Sequence, residues 1–334
     1  MKKIKNPLAA AGAITMADIA RIAGVSKITV SRALGEVGVV NPETRARIRA
    51  LADELGYQLN VSARNLRLRQ SHTVAVIVEM HPSIERPMSD PYPLELLGGI
   101  VQELASTNYS ILLTTAHGAS APAVQAADAL VLLGQGPHED AVRRFAKARR
   151  PMVVWGARRG KDDHVVVGSD NRQGGASVAE RFLAIGRRRP VFFGDIDHPE
   201  IAERQAGFAD VLRRHHVTDS VVRLTEFTAD AGFEAVRTLA RKKSHFDAIF
   251  CCNDLLAMGA VRALIEMGLR MPEDVSVIGY DDTPIGAAFI PPLSSVHQSW
   301  RDGGAMLARK ALALIAGQHV DSETLPTRLV LRAT

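Results

Sequence analysis

The sequence predicts a chain in two parts: an all-α headpiece built around a helix-turn-helix, then an α/β core of two doubly wound parallel-sheet lobes. Three observations predict it. Residues 1–70 carry twelve Lys and Arg against five Asp and Glu, a net +7. The other 264 residues carry 29 against 31, a net −2, so the formal +5 of the 334-residue chain sits in its first fifth. Within that fifth, short helical patterns are separated by glycine and proline turns. From His72 onward, β-branched aliphatic runs alternate with amphipathic ones, as βαβ units require.

The headpiece elements follow in order. Residues 1–13, beginning MKKIK, read as a loose basic arm; the Ala-rich stretch is too short and weakly apolar for a signal peptide, and Asp18 follows closely. Thr15 caps a first helix with Met16, Ile19, Ala20 and Ala23 on one face, ended by Gly24. Ser26 caps a second, with Ile28, Val30, Ala33 and Leu34 available for its inner face. Lys27, Ile28, Thr29, Ser31 and Arg32 lie toward its N-terminal half, where side chains of a helix-turn-helix meet base edges and phosphates in a major groove. Asn41 and Pro42 start a third helix running to Gly56, with Ile48, Leu51 and Leu55 inward and Arg45, Arg47 and Arg49 left to point at the backbone or at solvent. Thr15, Ser26, Lys27, Ile28, Thr29, Ser31, Arg32 and Asn41 are the candidate DNA contacts.

Strand candidates in the body are Val74–Val78, Ile111–Thr115, Leu130–Leu133, Met152–Trp155 and Val165–Val167, then Val191–Phe193, Val221–Leu224, Ala248–Cys252 and Val275–Ile278. Amphipathic runs lie between most of them: Leu94–Ala105, Gly174–Ile185, Arg204–Arg214, Asp230–Ala240 and Leu255–Glu266. Nine or ten strands over 260 residues predict two similar lobes rather than one sheet. Ligands bind beyond the carboxyl ends of parallel strands, and polar residues stand there: Asp170, Asn253, Asp254 and Asp281, with Arg204 opening a helix. Carboxylates, amides and a planar guanidinium suit vicinal hydroxyls, and an aromatic covers a sugar's apolar face. Asp254 and Asp282 read as caps.

Several classes are excluded. At 46% hydrophobic and 23% charged the chain is neither disordered nor fibrous. Its two cysteines, Cys251 and Cys252, are neighbours in a strand and read as core, which leaves no disulfide scaffold or zinc quartet. No apolar run reaches 18 residues. No Walker loop, GxGxxG, GxSxG or HExxH occurs, so the sequence offers no catalytic constellation, no metal site and no cofactor. An enzyme on the same scaffold would need phosphate loops or an acid/base pair. A transport solute-binding protein would need a signal peptide and no basic head.

The stretches V-S-K-I-T-V-S-R, V-N-P-E-T-R and L-G-Y-Q-L-N-V-S-A-R-N-L together resemble the headpiece of the lactose/galactose repressor (LacI/GalR) family. The resemblance implies a hinge at residues 60–70, helical on operator DNA, with Asn60, Ala63 and Leu66 at the DNA and Leu66 as a minor-groove wedge. Wedges of that kind offset unstacking with the contacts a bent duplex permits. The body is similar to the family's effector-binding core, a periplasmic-binding-protein-like fold, through F-C-C-N-D-L-L-A-M-G-A-V-R-A-L, P-E-D-V-S-V-I-G-Y-D-D-T and I-P-P-L-S-S-V-H-Q. It covers about residues 14–332.

By that resemblance the chain divides into residues 1–13 (arm), 14–59 (helix-turn-helix), 60–70 (hinge) and 71–334 (core), with one lobe of about 71–168 plus 300–334 and another of about 169–299. The implied effector contacts are Arg204, Phe227, Asn253 and Asp281, with Asp170 added. Two departures stand out. Residues 116–127 are shorter than the family's charged helix, and its asparagine-proline-aromatic motif appears as Asp90-Pro91-Tyr92-Pro93, where Tyr92 either stacks on a ligand or closes the lobe. His81, Glu85 and Arg86 nearby read as solvent-facing. The implied function is a cytoplasmic, homodimeric transcription repressor of a carbohydrate catabolic operon, released from a palindromic operator by a small sugar or sugar acid. A purine-type corepressor is the alternative.

Overall fold

A computed structural model describes residues 14–35, 39–57, 70–79, 90–146, 150–158, 160 and 164–334. The chain forms two compact units, Met1–Arg69 and Gln70–Thr334.

The first unit contains α1 (Met16–Ala23), α2 (Lys27–Leu34) and α3 (Pro42–Glu54). Thr15 and Asp18 form a reciprocal capping box, Gly24 closes α1 in the left-handed conformation at φ 64°, and Ser26 caps α2 by accepting from Thr29 N. Asn41 caps α3 through Glu43 N. Ile19, Ala20, Val30, Ala33, Ile48 and Ala52 form the core between the three helices. Ile28 departs from its expected inward position and stands 65% exposed. Two arginines of α3 turn toward the chain itself: Arg45 Nη1 donates to the carbonyls of Arg32, Ala33 and Gly35, and Arg47 Nη2 to that of Ala23. Cations there satisfy the open carbonyls at the ends of α2 and α1.

In the second unit, two six-stranded sheets form two lobes. The first has strand order β11-β5-β4-β3-β1-β2 and the second β12-β10-β9-β8-β6-β7. The first sheet holds β1 (Thr73–Val78), β2 (Ser110–Thr115), β3 (Ala129–Leu133), β4 (Met152–Trp155), β5 (Val165–Ser169) and β11 (Glu323–Leu325). The second holds β6 (Pro190–Phe193), β7 (Ser220–Val222), β8 (Ala248–Cys251), β9 (Ser276–Asp281), β10 (Ser294–Gln298) and β12 (Thr327–Val330). All neighbours are parallel except β12, which runs antiparallel to β10.

Central parallel strands are covered on both faces, which is why β3 and β4 are buried throughout and read as unbroken apolar runs. Along β1 the side chains alternate between two cores: Val74, Val76 and Val78 face one, Ala75 and Ile77 the other. The second lobe is centred on aromatic rings, with Phe208 and Phe250 at 5.1 Å and Phe192 and Phe250 at 5.2 Å between centroids.

The longer helices that complete the unit are α4 (Pro91–Leu104), α7 (Asn171–Ala184), α8 (Pro199–Arg214), α9 (Ala229–Arg241), α10 (Asp254–Glu266) and α12 (Trp300–Ile315). Shorter ones are α5 (Pro122–Ala126), α6 (Asp140–Ala146) and α11 (Pro284–Ala287). Three packed helix pairs share one device. At Gly99 and Gly304 between α4 and α12, Gly175 and Gly207 between α7 and α8, and Gly232 and Gly259 between α9 and α10, a Cβ would fall on the partner helix's backbone. Only glycine admits helices that close.

The structure corrects two expectations here. Residues 300–334 do not all join the first lobe: β12 completes the second sheet, and Thr334 Oγ1 donates to the Val277 carbonyl and accepts from Ser294 N. Arg204 does not open its helix but sits in its second turn, because Pro199 supplies the first helical position. Residues 116–126, the trimmed stretch, form a 3₁₀ turn and the five-residue α5. Among the described residues, no helix is long and apolar enough to cross a membrane.

Candidate functional site

The headpiece presents its second helix outward. Val30 and Ala33 anchor α2, while Ser26, Lys27, Ile28 and Arg32 are exposed and Thr29 and Ser31 are half-buried. Ser26 Oγ and Thr29 Oγ1 lie 2.9 Å apart, so the cap is held by side chain as well as backbone. Thr15 and Asn41 serve as caps of α1 and α3. Asn60, Ala63 and Leu66, like His81, Glu85 and Arg86, fall outside the described residues.

In the second unit a cleft opens between the two sheets at the carboxyl ends of their strands, with about 970 Å³ of empty space, part of it open to solvent. The first lobe contributes Glu79 beyond β1, Asp90 and Tyr92 at the start of α4, Gly134 beyond β3 and Trp155 at the end of β4. From the second come Asn171, His198, Glu200, Arg204, Phe227, Asn253, Asp254 and Asp281, while Ser169 and Gln298 sit where the chain crosses between lobes. At the loops, His138 N donates to the Asp197 carbonyl at 2.8 Å and links the lobes.

Arg204 is the centre of the second-lobe wall. It is 7% exposed, and its guanidinium lies 3.7 Å from the centre of the Tyr280 ring. Nε donates to Asn171 Oδ1 at 2.9 Å and Nη1 to the Cys252 carbonyl at 2.5 Å. Burial works against its charge, but Tyr280, Asp281, Cys252 and Glu200 more than compensate and raise its pKa above the ordinary guanidinium value. Tyr280 Oη lies 3.3 Å from the same Asn171 oxygen, and burial raises its own pKa.

Asp281 stands at the end of β9 with φ 113°, in the region that favours glycine, and accepts from Gln298 Nε2 at 2.7 Å. Burial drives its carboxyl well above the usual range; Arg204 opposes that, and Asp254 and Asp90 reinforce it. Asp254 is 1% exposed and accepts from Thr283 N (2.7 Å), Thr283 Oγ1 (2.8 Å) and Ser295 Oγ (2.5 Å). Burial pushes it up to about 6 against those hydrogen bonds. Asn253 caps α10 through Leu256 N and donates to the Phe227 carbonyl at 3.2 Å, tying two candidate residues together. The Phe227 ring meets His198 edge-on at 5.3 Å, and Tyr92 meets Trp300 at 5.8 Å.

The cleft thus brings together Tyr92, Arg204, Phe227, Asn253 and Asp281. Asp170 is not among its lining residues; it caps α7, accepting from Gln173 N, because β5 extends to Ser169 and turns Ser169 and Asn171 toward the cleft instead. Asp254 and Asp282 are not caps either: the first holds the Thr283–Ser295 junction, and the second pairs with His297 Nδ1 (3.0 Å) and Arg332 Nη2 (2.6 Å). Sequence reasoning missed Glu79, Trp155, Ser169, Asn171, His198, Glu200 and Gln298. The spacing of Glu200 and Arg204, one helical turn apart, was a signal hidden by the late helix start. Among the described residues, no group of three or more His, Cys, Asp or Glu is placed to hold a metal.

Residues 15–60 match the bacterial regulatory proteins of the lacI family, and residues 179–334 a periplasmic binding protein-like domain. The HTH-type transcriptional regulator CelR of Thermobifida fusca is 30% identical over 329 residues, 95% of each chain. A crystal structure of the lac repressor dimer bound to operator and the anti-inducer ONPF superposes with a TM-score of 0.85 at 25% identity, covering 97% of this chain and 99% of that one. A CelR–cellobiose complex does so at 0.70 and 27%, covering 96% and 99%. With a headpiece of that family, a two-lobed core of the same fold and a relative matched end to end, the chain belongs to the lacI family of bacterial regulatory proteins.

Proposed function

We propose that the chain is a ligand-released repressor: a homodimer holds a near-palindromic operator through paired headpieces and leaves it when a small polyhydroxylated ligand, a sugar, occupies the cleft. The observation that carries this is the wall around Arg204, where a buried guanidinium fixed by Tyr280, Asn171 and Cys252 stands with Asp281, Asn253 and the Phe227 ring on one side of the cleft. A planar cation, carboxylates and amides in reach of an aromatic face suit vicinal hydroxyls above an apolar ring. The cellobiose held by CelR supports that class of ligand.

At the DNA, Lys27, Ile28 and Arg32 are the exposed side chains of α2, with Ser26, Thr29 and Ser31 beside them, and they read base edges and phosphates. Leu66 at the hinge is the minor-groove wedge that the resemblance implies. The ligand acts by preferring one arrangement of the two lobes, because residues of both line its site; equal affinity for both arrangements would shift nothing. The chain works by binding, without a catalytic step. Electrophoretic mobility of duplexes from the region upstream of its own gene, at graded salt and with sugars and purines added, tests this reading. Salt-sensitive binding relieved by a sugar is expected, and relief or strengthening by a purine alone points to the corepressor alternative.

A further inference from the structure

The cleft is electrostatically lopsided. Five carboxyl groups line it, Glu79, Asp90, Glu200, Asp254 and Asp281, against the single guanidinium of Arg204 among the described residues. Arg204 is already engaged: two of its nitrogens donate within the protein and its plane rests on Tyr280. Asp254 is saturated by Thr283 and Ser295. What remains unanswered are acceptors. Glu200 Oε2 is buried with no hydrogen-bond partner, and Ser169 Oγ, on a residue only 6% exposed, has none either. Both residues line the cleft, and Glu79 faces it from the opposite lobe. Buried polar atoms are nearly always paired, so such orphans in a ligand-sized cleft mark places for groups the ligand brings.

We infer that the cleft reads ligand charge, taking a sugar that carries a basic amine in preference to its neutral parent and refusing one that carries a carboxylate, with Glu200 as the residue that sets this preference. This rests on the sugar reading of the cleft proposed above. An ammonium donates a charge-assisted hydrogen bond to a carboxylate; a hydroxyl donates a weaker one; a ligand carboxylate offers no donor and places like charge beside Glu200 and Glu79. The sugar-acid class that the sequence left open is thereby disfavoured.

Titration calorimetry on the full chain tests the inference with glucose, galactose and mannose, each compared with its 2-amino-2-deoxy derivative and its uronate. In the series whose stereochemistry fits, the amine form binds about tenfold tighter than the neutral sugar and the uronate gives no heat; Glu200→Gln brings amine and neutral sugar to within about threefold. If no member of the panel binds, the sugar reading falls and the charge preference built on it falls with it. A uronate that binds as tightly as the amine, or a preference that survives Glu200→Gln, overturns the charge preference alone.

Discussion

The guanidinium of Arg204 lies 3.7 Å from the centre of the Tyr280 ring, and both side chains meet on one oxygen, Asn171 Oδ1. A ring, an amide and a main-chain carbonyl thus hold a buried cation from three elements: β9, α7 and the end of β8. The arginine is set before any ligand arrives, so little side-chain entropy remains to be lost on binding.

Arg204→Lys keeps the charge but cannot fork between Asn171 and the Cys252 carbonyl or lie flat on Tyr280. The chain should lose about 3 kcal/mol of stability, the scale of breaking a buried charged network, and ligand affinity should fall about a hundredfold. Urea unfolding and ligand titration check both. A fully stable variant with normal affinity contradicts the role given to Arg204.

Gly175 controls the same arginine from behind. A Cβ there would land on the Arg204 carbonyl, whereas at Gly98 in α4 nothing lies within 4 Å. Gly175→Ala should therefore destabilise by about 1–3 kcal/mol through overpacking, and Gly98→Ala should be neutral or stabilising by about 0.5–1 kcal/mol. Thermal unfolding of the two variants distinguishes packing at the α7–α8 contact from the general effect of removing a helical glycine.

Stability should rise as pH falls toward 4. The folded chain holds Asp254 at about 6 against 3.8 for an ordinary aspartate, and burial raises Asp281 as well. Between those values the fold binds a proton that the unfolded chain releases, so the cost of burying Asp254 is fully present above about pH 6 and is removed as pH drops toward 4. Its full span is about 3 kcal/mol. Urea midpoints measured from pH 7 to pH 4 should shift upward in the wild-type chain and less in Asp281→Asn. Equal shifts in both contradict the coupling of the two carboxyls.

Lys27 is proposed to read DNA, while Arg45 ties α3 to α2 within the headpiece. Lys27 is exposed on α2, while Arg45 spans to three carbonyls at its end. Lys27→Ala should weaken operator binding about tenfold and flatten its salt dependence, with stability changed by less than about 0.5 kcal/mol. Arg45→Ala should lower headpiece stability by about 1–2 kcal/mol. Mobility shifts at several salt concentrations and headpiece melting separate the two.

The strand ladder was legible because parallel strands buried on both faces must be apolar: Leu130–Leu133 and Met152–Trp155 leave no other reading. The strands that sequence reasoning missed are those that do not follow that rule. β10 is buried yet reads S-S-V-H-Q, because its serines bond to Asp254, Thr334 and Arg332, and β11 and β12 are short edge strands that are not fully buried. Caps in the headpiece were visible since Thr15, Ser26 and Asn41 act within their own helix ends. Cleft residues were visible where a strand end carries a conspicuous polar group, as at Asn253 and Asp281. Asn171 and Glu200 were not, because what places them is the approach of two helices through Gly175 and Gly207, a contact between positions 30 residues and more apart. The displaced Asp170 shows how sharp the limit is: β5 runs two residues past the expected Val167, so Ser169 and Asn171 line the cleft while Asp170 caps α7.

Operator release by the full chain measures most directly whether occupancy of the cleft governs the headpiece's hold on DNA. With a near-palindromic duplex bound at moderate salt, the sugar that binds the wild-type cleft should free the DNA, and Asp281→Ala should hold the same duplex yet no longer release it. Release that persists in Asp281→Ala, or a wild-type complex that stays intact when the cleft is saturated, contradicts the account.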